Sequence, residues 1–212
     1  MEFHTWLAFA AASLLIAVSP GSGAVLCMSR GLSHGFQAAW PTILGLEIGL
    51  LLILLVAGAG VGSLLVASET AFWLVKILGA GYLIYLGWAQ WRSRQGIAAL
   101  GSSATRQPAP SAHRQLATGF LTNATNPKGI LFMVAVLPQF IEPQRPLGLQ
   151  LLILAATMIV VDTVVMAGYM GGASAFSRWM SSPRAIRVQN RLFGSTLMAV
   201  GAGLLWVKKA QA

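Results

Sequence analysis

The sequence predicts an all-α integral membrane protein, six transmembrane helices arranged as two inverted three-helix repeats, on three observations. Of its 212 residues 56% are hydrophobic and only 9% charged, with a mean hydropathy of +0.72, whereas a soluble domain carries roughly 25% charged residues. The apolar residues fall in continuous runs of the length, about 20 residues, that crosses hydrocarbon as a helix, not in the alternation of a membrane β-strand. Two of those runs, one in each half, carry a polar break containing proline: Ser19-Pro20-Gly21-Ser22-Gly23 and Asn126-Pro127-Lys128-Gly129.

The elements follow in order. The first run extends from about Trp6 to Met28 and contains the first break. No basic residue precedes it, and a secretory signal wants a positive start and a small-residue cleavage site, so it reads as an uncleaved first span. The second run, about Ala39 to Val66, holds a single acid, Glu47. A turn at Ser68-Glu69-Thr70 leads to the third, Ala71 to Trp91. Residues 92–115, rich in Ser, Pro, Gln and Arg, read as a cytoplasmic linker between a first repeat, 1–91, and a second, 116–212. The fourth run, Leu116 to Ile141, contains the second break; the fifth, Leu147 to Met170, holds Asp162. A basic loop, Ser177 to Gln189, precedes the sixth, Leu192 to Val207.

Basic residues set the orientation. With the N-terminus outside, the inner loops carry nine Lys and Arg and the outer segments three, so the positive-inside rule puts both termini on the periplasmic face of a bacterial inner membrane. The formal charge of +9 is therefore a topology signal and no argument for nucleic acid. Cys27 stands alone, which excludes an intrachain disulfide, and His4, His34 and His113 lack metal-ligand spacing.

Three helices per half make the second half inverted relative to the first. Register supports a repeat. Pro20 and Pro127 are 107 apart; Glu47 and Asp162, Gly79 and Gly194, and Trp91 and Trp206 are each 115 apart. An eight-residue insertion, assigned to the Glu142–Pro146 turn region, reconciles the two offsets.

Interrupted spans at matching places in two halves point to a substrate path through a transporter. Freed backbone at membrane depth is tolerated only where it lines a cavity or is covered by protein. A half-helix beginning after Pro20 or Pro127 offers amides to an anion. Ser19, Gly21, Ser22, Asn123 and Asn126 add polar or close-approach positions and Lys128 a cation. Glu47 and Asp162 are the two acids deep in apolar runs, and a carboxylate there costs at least about 2.5 kcal/mol on insertion scales. Each either meets substrate or a proton, or makes a structural pair with Lys128 or an amide. Embedded carboxylates beside anion-binding helix ends suit a zwitterion such as an amino acid. Gly45-x-x-x-Gly49 and the other glycine pairs allow close helix packing, within one bundle or in a homodimer.

No Walker loop, Ser-His-Asp set or dinucleotide fingerprint is present. A membrane enzyme acting on lipid would need clustered polar residues at one interface, which the chain lacks; a channel or a non-transporting assembly subunit stays open.

Ala17-Val-Ser-Pro-Gly-Ser-Gly23, Gly45-x-x-x-Gly49, Val75 to Trp88, Gly119-Phe-Leu-Thr-Asn-Ala-Thr-Asn-Pro-Lys-Gly129, Asp162 and Asn190-Arg-Leu-Phe-Gly194 together resemble the LysE/RhtB family of amino-acid exporters over nearly the whole chain. The resemblance implies six spans, no enzymatic activity, no cofactor, and export of an amino acid or derivative driven by protons. Ser19, Pro20, Gly21, Asn126, Pro127, Lys128 and Asp162 carry over from its motifs. Ser22 departs, since the family has a second proline there.

Overall fold

The computed structural model describes residues 1–67, 69–92, 108–142, 144–173 and 183–206. Among them there is no strand; the elements are α1 (Phe3–Val18), α2 (Ser22–His34), α3 (Phe36–Ala67), α4 (Glu69–Arg92), α5 (Ala112–Ala124), α6 (Pro127–Val136), a 3-10 turn (Leu137–Phe140), α7 (Leu147–Gly171) and α8 (Pro183–Trp206). Both breaks are real. α1 and α2 meet at 55° across Ser19-Pro20-Gly21, and α5 stops at Ala124 before α6 restarts at Pro127. Gly35, at φ 77, ends α2 in a conformation that glycine adopts most readily.

α3 shows why lipid must surround the chain. Leu44, Ile48, Leu52 and Leu55 face outward on one side and Ile43, Leu46, Leu50 and Leu54 face inward on the other. A helix that is apolar on both faces belongs in a bilayer. Exposed Val160 and Val164 opposite buried Met158 and Met166 repeat the pattern on α7. Phe36–Gly60 and Leu147–Gly171 are each long and apolar enough to cross a membrane, and so is the bent α1–α2 pair if it is taken as one span.

α8 departs from the expected boundary. Residues 183–189, read from the sequence as loop, form its first turns. Proline suits the first helical position, and Arg184, Arg187 and Arg191 are exposed, so the basic segment extends the helix past its apolar part. Likewise Ala112–Gln115, expected in the linker, open α5, where Ser111 caps the amide of Arg114 at 3.4 Å. Linker residues 93–107, residues 174–182 with the first part of the basic loop, the turn residue Ser68 and the C-terminal 207–212 lie outside the described residues.

Contact pairs fix helix directions. Trp6 donates to Thr157 at 2.9 Å and Tyr169 to Val18 at 2.7 Å, so α1 runs parallel to α7. Gly58 meets Leu151 and Gly171 meets Phe36, so α3 is antiparallel to α7. Gly45 sits on Leu116 and Gly49 on Phe120, so α3 is parallel to α5. Gln90 bonds Asn190, Gly87 touches Gly194 and Gly201 touches Ala80, so α4 and α8 are antiparallel. The α3–α5 and α4–α8 seams bring backbone against backbone, which explains their glycines.

Candidate functional site

Two apolar clusters fill the interior. One contains Phe9, Ile16, Leu50, Leu54, Phe132, Leu154 and Met158; the other Ala24, Cys27, Ile43, Leu46, Met166 and Met170. A partly open cavity of about 40 Å³ lies where they meet, lined by Ile16, Leu50 and Met158 from the first and Ala24, Leu46 and Met166 from the second. Its polar lining is Ser19, Gly21, Asn123, Asn126, Lys128 and Asp162. Six of the nine residues singled out in the sequence thus share one surface, although they come from four separate helices or breaks.

Each is held for a local reason. Asn126 caps α6, its Oδ1 accepting from the Lys128 amide at 3.1 Å. Asn123 donates to the Leu46 carbonyl at 2.8 Å, tying α5 to α3. Lys128 Nζ donates to Ile16 O at 3.2 Å and Ser19 O at 2.5 Å, at the negative end of α1. α2 follows its N-cap Gly21 with no side-chain cap bond, and Gly21, Gly23 and Ala24 line the cavity, so its first turn borders the space. Asp162 is buried in the middle of α7. Among the described residues no ion pair joins it directly to Lys128, so the structural pair weighed from the sequence is absent as a contact.

Three expected residues stand apart from the lining. Pro20 is buried in the first break and Pro127 points outward at the first position of α6. Glu47, 8% exposed, is not among the lining residues although Leu46 and Leu50 of the same helix are, and neither of its carboxyl oxygens is in a hydrogen bond. Ser22, expected to offer its hydroxyl, is exposed and outside the lining. Tyr169 was missed by sequence reasoning; a phenol in an apolar span must find an acceptor, and the orphaned carbonyls of α1 are the acceptors that a proline at position 20 supplies. Among the described residues no cluster of His, Cys, Asp and Glu could hold a metal ion.

Apolar outer faces, broken helices and a polar cavity between them define a helical membrane protein with a polar interior cavity. The family model for LysE type translocators matches residues 14–207, and the chain belongs to that family: it is a membrane transporter of the efflux type and not an enzyme. It is similar to the homoserine/homoserine lactone efflux protein of Salmonella typhimurium, 41% identical over 99% of this chain and 100% of that one. An uncharacterized membrane protein of Vibrio cholerae is 38% identical over 98% and 100%. A leucine efflux protein of Klebsiella pneumoniae is 28% identical over 94% and 93%. No solved structure matches the chain.

Proposed function

We propose that the protein exports a small neutral amino acid or its derivative across the bacterial inner membrane in exchange for protons, and that homoserine and its lactone are the substrate class. The observation that carries the reading is the cavity, in which helix-terminal amides, a carboxylate and a lysine converge between two apolar plugs. A zwitterion has complementary ends. Its carboxylate suits the uncapped amides of α2, and its ammonium suits Asp162. The Glu47–Asp162 pair gives the proton a place to travel. The homoserine assignment draws on the full-length similarity to the Salmonella protein; leucine is the competing substrate, from the more distant relative.

The same reading takes the chain as six spans in two inverted repeats, with both termini periplasmic. Helix directions support it: α1 parallels α7, which opposes α3, which parallels α5, so α1 and α5 run oppositely, as inversion requires. Residues related by a two-fold axis touch each other only at that axis. Glu47 and Asp162, 115 apart in sequence, sit on α3 and α7, which pack against each other, and are the pair this reading would put near the axis.

The test uses inside-out vesicles loaded by an imposed pH gradient, with labelled homoserine and leucine supplied in turn. Homoserine should accumulate with the gradient and leucine weakly. Asp162→Asn should abolish accumulation with unchanged protein in the membrane. Equal flux with and without the gradient would instead make the protein a channel, and normal accumulation by Asp162→Asn would remove the proposed site.

A further inference from the structure

Pro20 has no amide hydrogen, so the helical bond that would reach from position 20 back to Ile16 O cannot form. That carbonyl and those after it are left at the negative end of α1. Two side chains from the other half of the molecule take them up. Lys128 Nζ bridges Ile16 O and Ser19 O at 3.2 and 2.5 Å, and the Tyr169 hydroxyl donates to Val18 O at 2.7 Å.

The second break is closed differently. Pro127 orphans Asn123 O by the same rule, but the Asn126 amide, three residues on, donates to it at 2.9 Å. Asn126 then caps the Lys128 amide. One break closes on itself; the other is closed by an ammonium reaching across the bundle. Gly21 leaves the room for it, since a β-carbon there would stand 3.1 Å from Lys128 Nζ and 3.2 Å from Cε. Asp162 lines the same cavity and adds a negative charge nearby.

We propose that the carbonyl end of α1 is a binding site for a primary ammonium group, and that Lys128 is its built-in occupant. Carbonyl oxygens at hydrogen-bond distance are satisfied by the N–H donors of a primary ammonium, as the Tyr169 hydroxyl satisfies Val18 O, whereas a quaternary ammonium carries charge but no donor and would leave them unpaired. The inference goes beyond the transport reading and rests on the break alone, so it holds whatever solute the cavity passes. It also means that no free metal cation is needed to close this break: the chain carries its own.

The experiment removes the tether and returns the ligand. Lys128→Ala deletes three methylenes and the ammonium, which n-propylammonium replaces atom for atom. Purified Lys128→Ala protein is melted with n-propylammonium or tetramethylammonium chloride at matched ionic strength. The expected result is a rise in melting temperature of about 3–5 °C with n-propylammonium at roughly ten times its Kd, with no rise in the wild type and none with tetramethylammonium. No rise in the variant, or an equal rise with tetramethylammonium, overturns the proposal. Because Lys128→Ala could fail to fold, a second measurement uses Gly21→Ala. Its methyl would push the lysine head from the carbonyls, so acylation of Lys128 by a small amine-reactive ester, read by mass spectrometry, should be several-fold faster than in the wild type. Equal labelling overturns the proposal independently. Neither readout involves transport, so failure here and failure of the exporter assignment are separate results.

Discussion

Gly119→Ala should loosen the seam that sets the cavity wall. A β-carbon on Gly119 meets the carbonyl oxygen of Thr42, the amide nitrogen of Leu46 at 2.9 Å and the α-carbon of Gly45 at 3.1 Å, all of them α3 backbone. Gly45→Ala makes the reciprocal collision, with the Leu116 carbonyl and with the Phe120 amide at 2.9 Å. Ordinary contact begins near 3.4 Å, and no side chain can rotate to give it. α3 and α5 must part by about half an ångström or more, the difference between those two distances. Overpacking of this kind costs about 1–3 kcal/mol, partly offset by alanine's better helix propensity, about 1 kcal/mol. Because the obstruction is backbone, the upper half of that range applies, about 2–3 kcal/mol, and the net loss of about 1–2 kcal/mol lowers the melting temperature of a chain this size by about 2–8 °C. The double variant should cost less than the sum, because one separation relieves both collisions. Asn123, one turn after Gly119, should lose its 2.8 Å bond to Leu46 O, and export should fall with it. Gly148→Ala and Gly168→Ala are the controls: nothing lies within 4 Å of either added carbon. Thermal melting in detergent reads all five proteins. If Gly119→Ala melts with the controls, the close seam is not what orders this wall.

Three further outcomes are expected. Tyr169→Phe removes the buried bond to Val18 O; it should cost about 1 kcal/mol in a melt and lower export without reducing membrane insertion. Gly23→Val should block export yet leave the melt near that of the wild type, because a β-carbon there meets only the side-chain ends of Leu46, at 3.4 Å, and Met166, at 3.7 Å, and the branched methyls fill the cavity. Cys27, the single cysteine, is fully buried, so a maleimide should label the chain only after denaturation; labelling of the folded protein would contradict the packing of α2.

How much of this could be read in advance depends on the kind of signal. Proline at 20 and 127 removes an amide whatever the surroundings, so both breaks were legible, as were the embedded acids. Helix ends were less so. Arg184 and Arg187 read as loop because charge marks the edge of lipid, but the helix continues through them. The roles of Glu47 and Lys128 turn on which way a side chain points. Sequence places Glu47 at mid-span; only packing shows that Leu46 and Leu50 of the same helix line the cavity and Glu47 does not. Nothing in the Asn-Pro-Lys motif reveals that its lysine ends on carbonyls 112 and 109 residues away.

The order of residues along three helices ties these pieces together. On α3, Leu46 and Leu50 flank Glu47; on α7, Met158 and Met166 flank Asp162; on the first bent span, Ile16 and Ala24 flank the break. In each case one flanking residue belongs to one apolar cluster and the other to the second. The polar residues therefore lie between the two clusters, bounded on both sides by side chains of the same three spans. For an exporter, a solute there would leave in either direction only if one cluster parted while the other held. The break at Pro20 suits this: α1 carries Phe9 and Ile16 of one cluster, α2 carries Ala24 and Cys27 of the other, and no helical hydrogen bond joins Ile16 to position 20. What takes up the Ile16 carbonyl instead is Lys128, whose grip on α1 is a side-chain contact from the opposite half and can be released without unwinding a turn. On the exporter reading, the lysine stands where the two plugs would have to move apart.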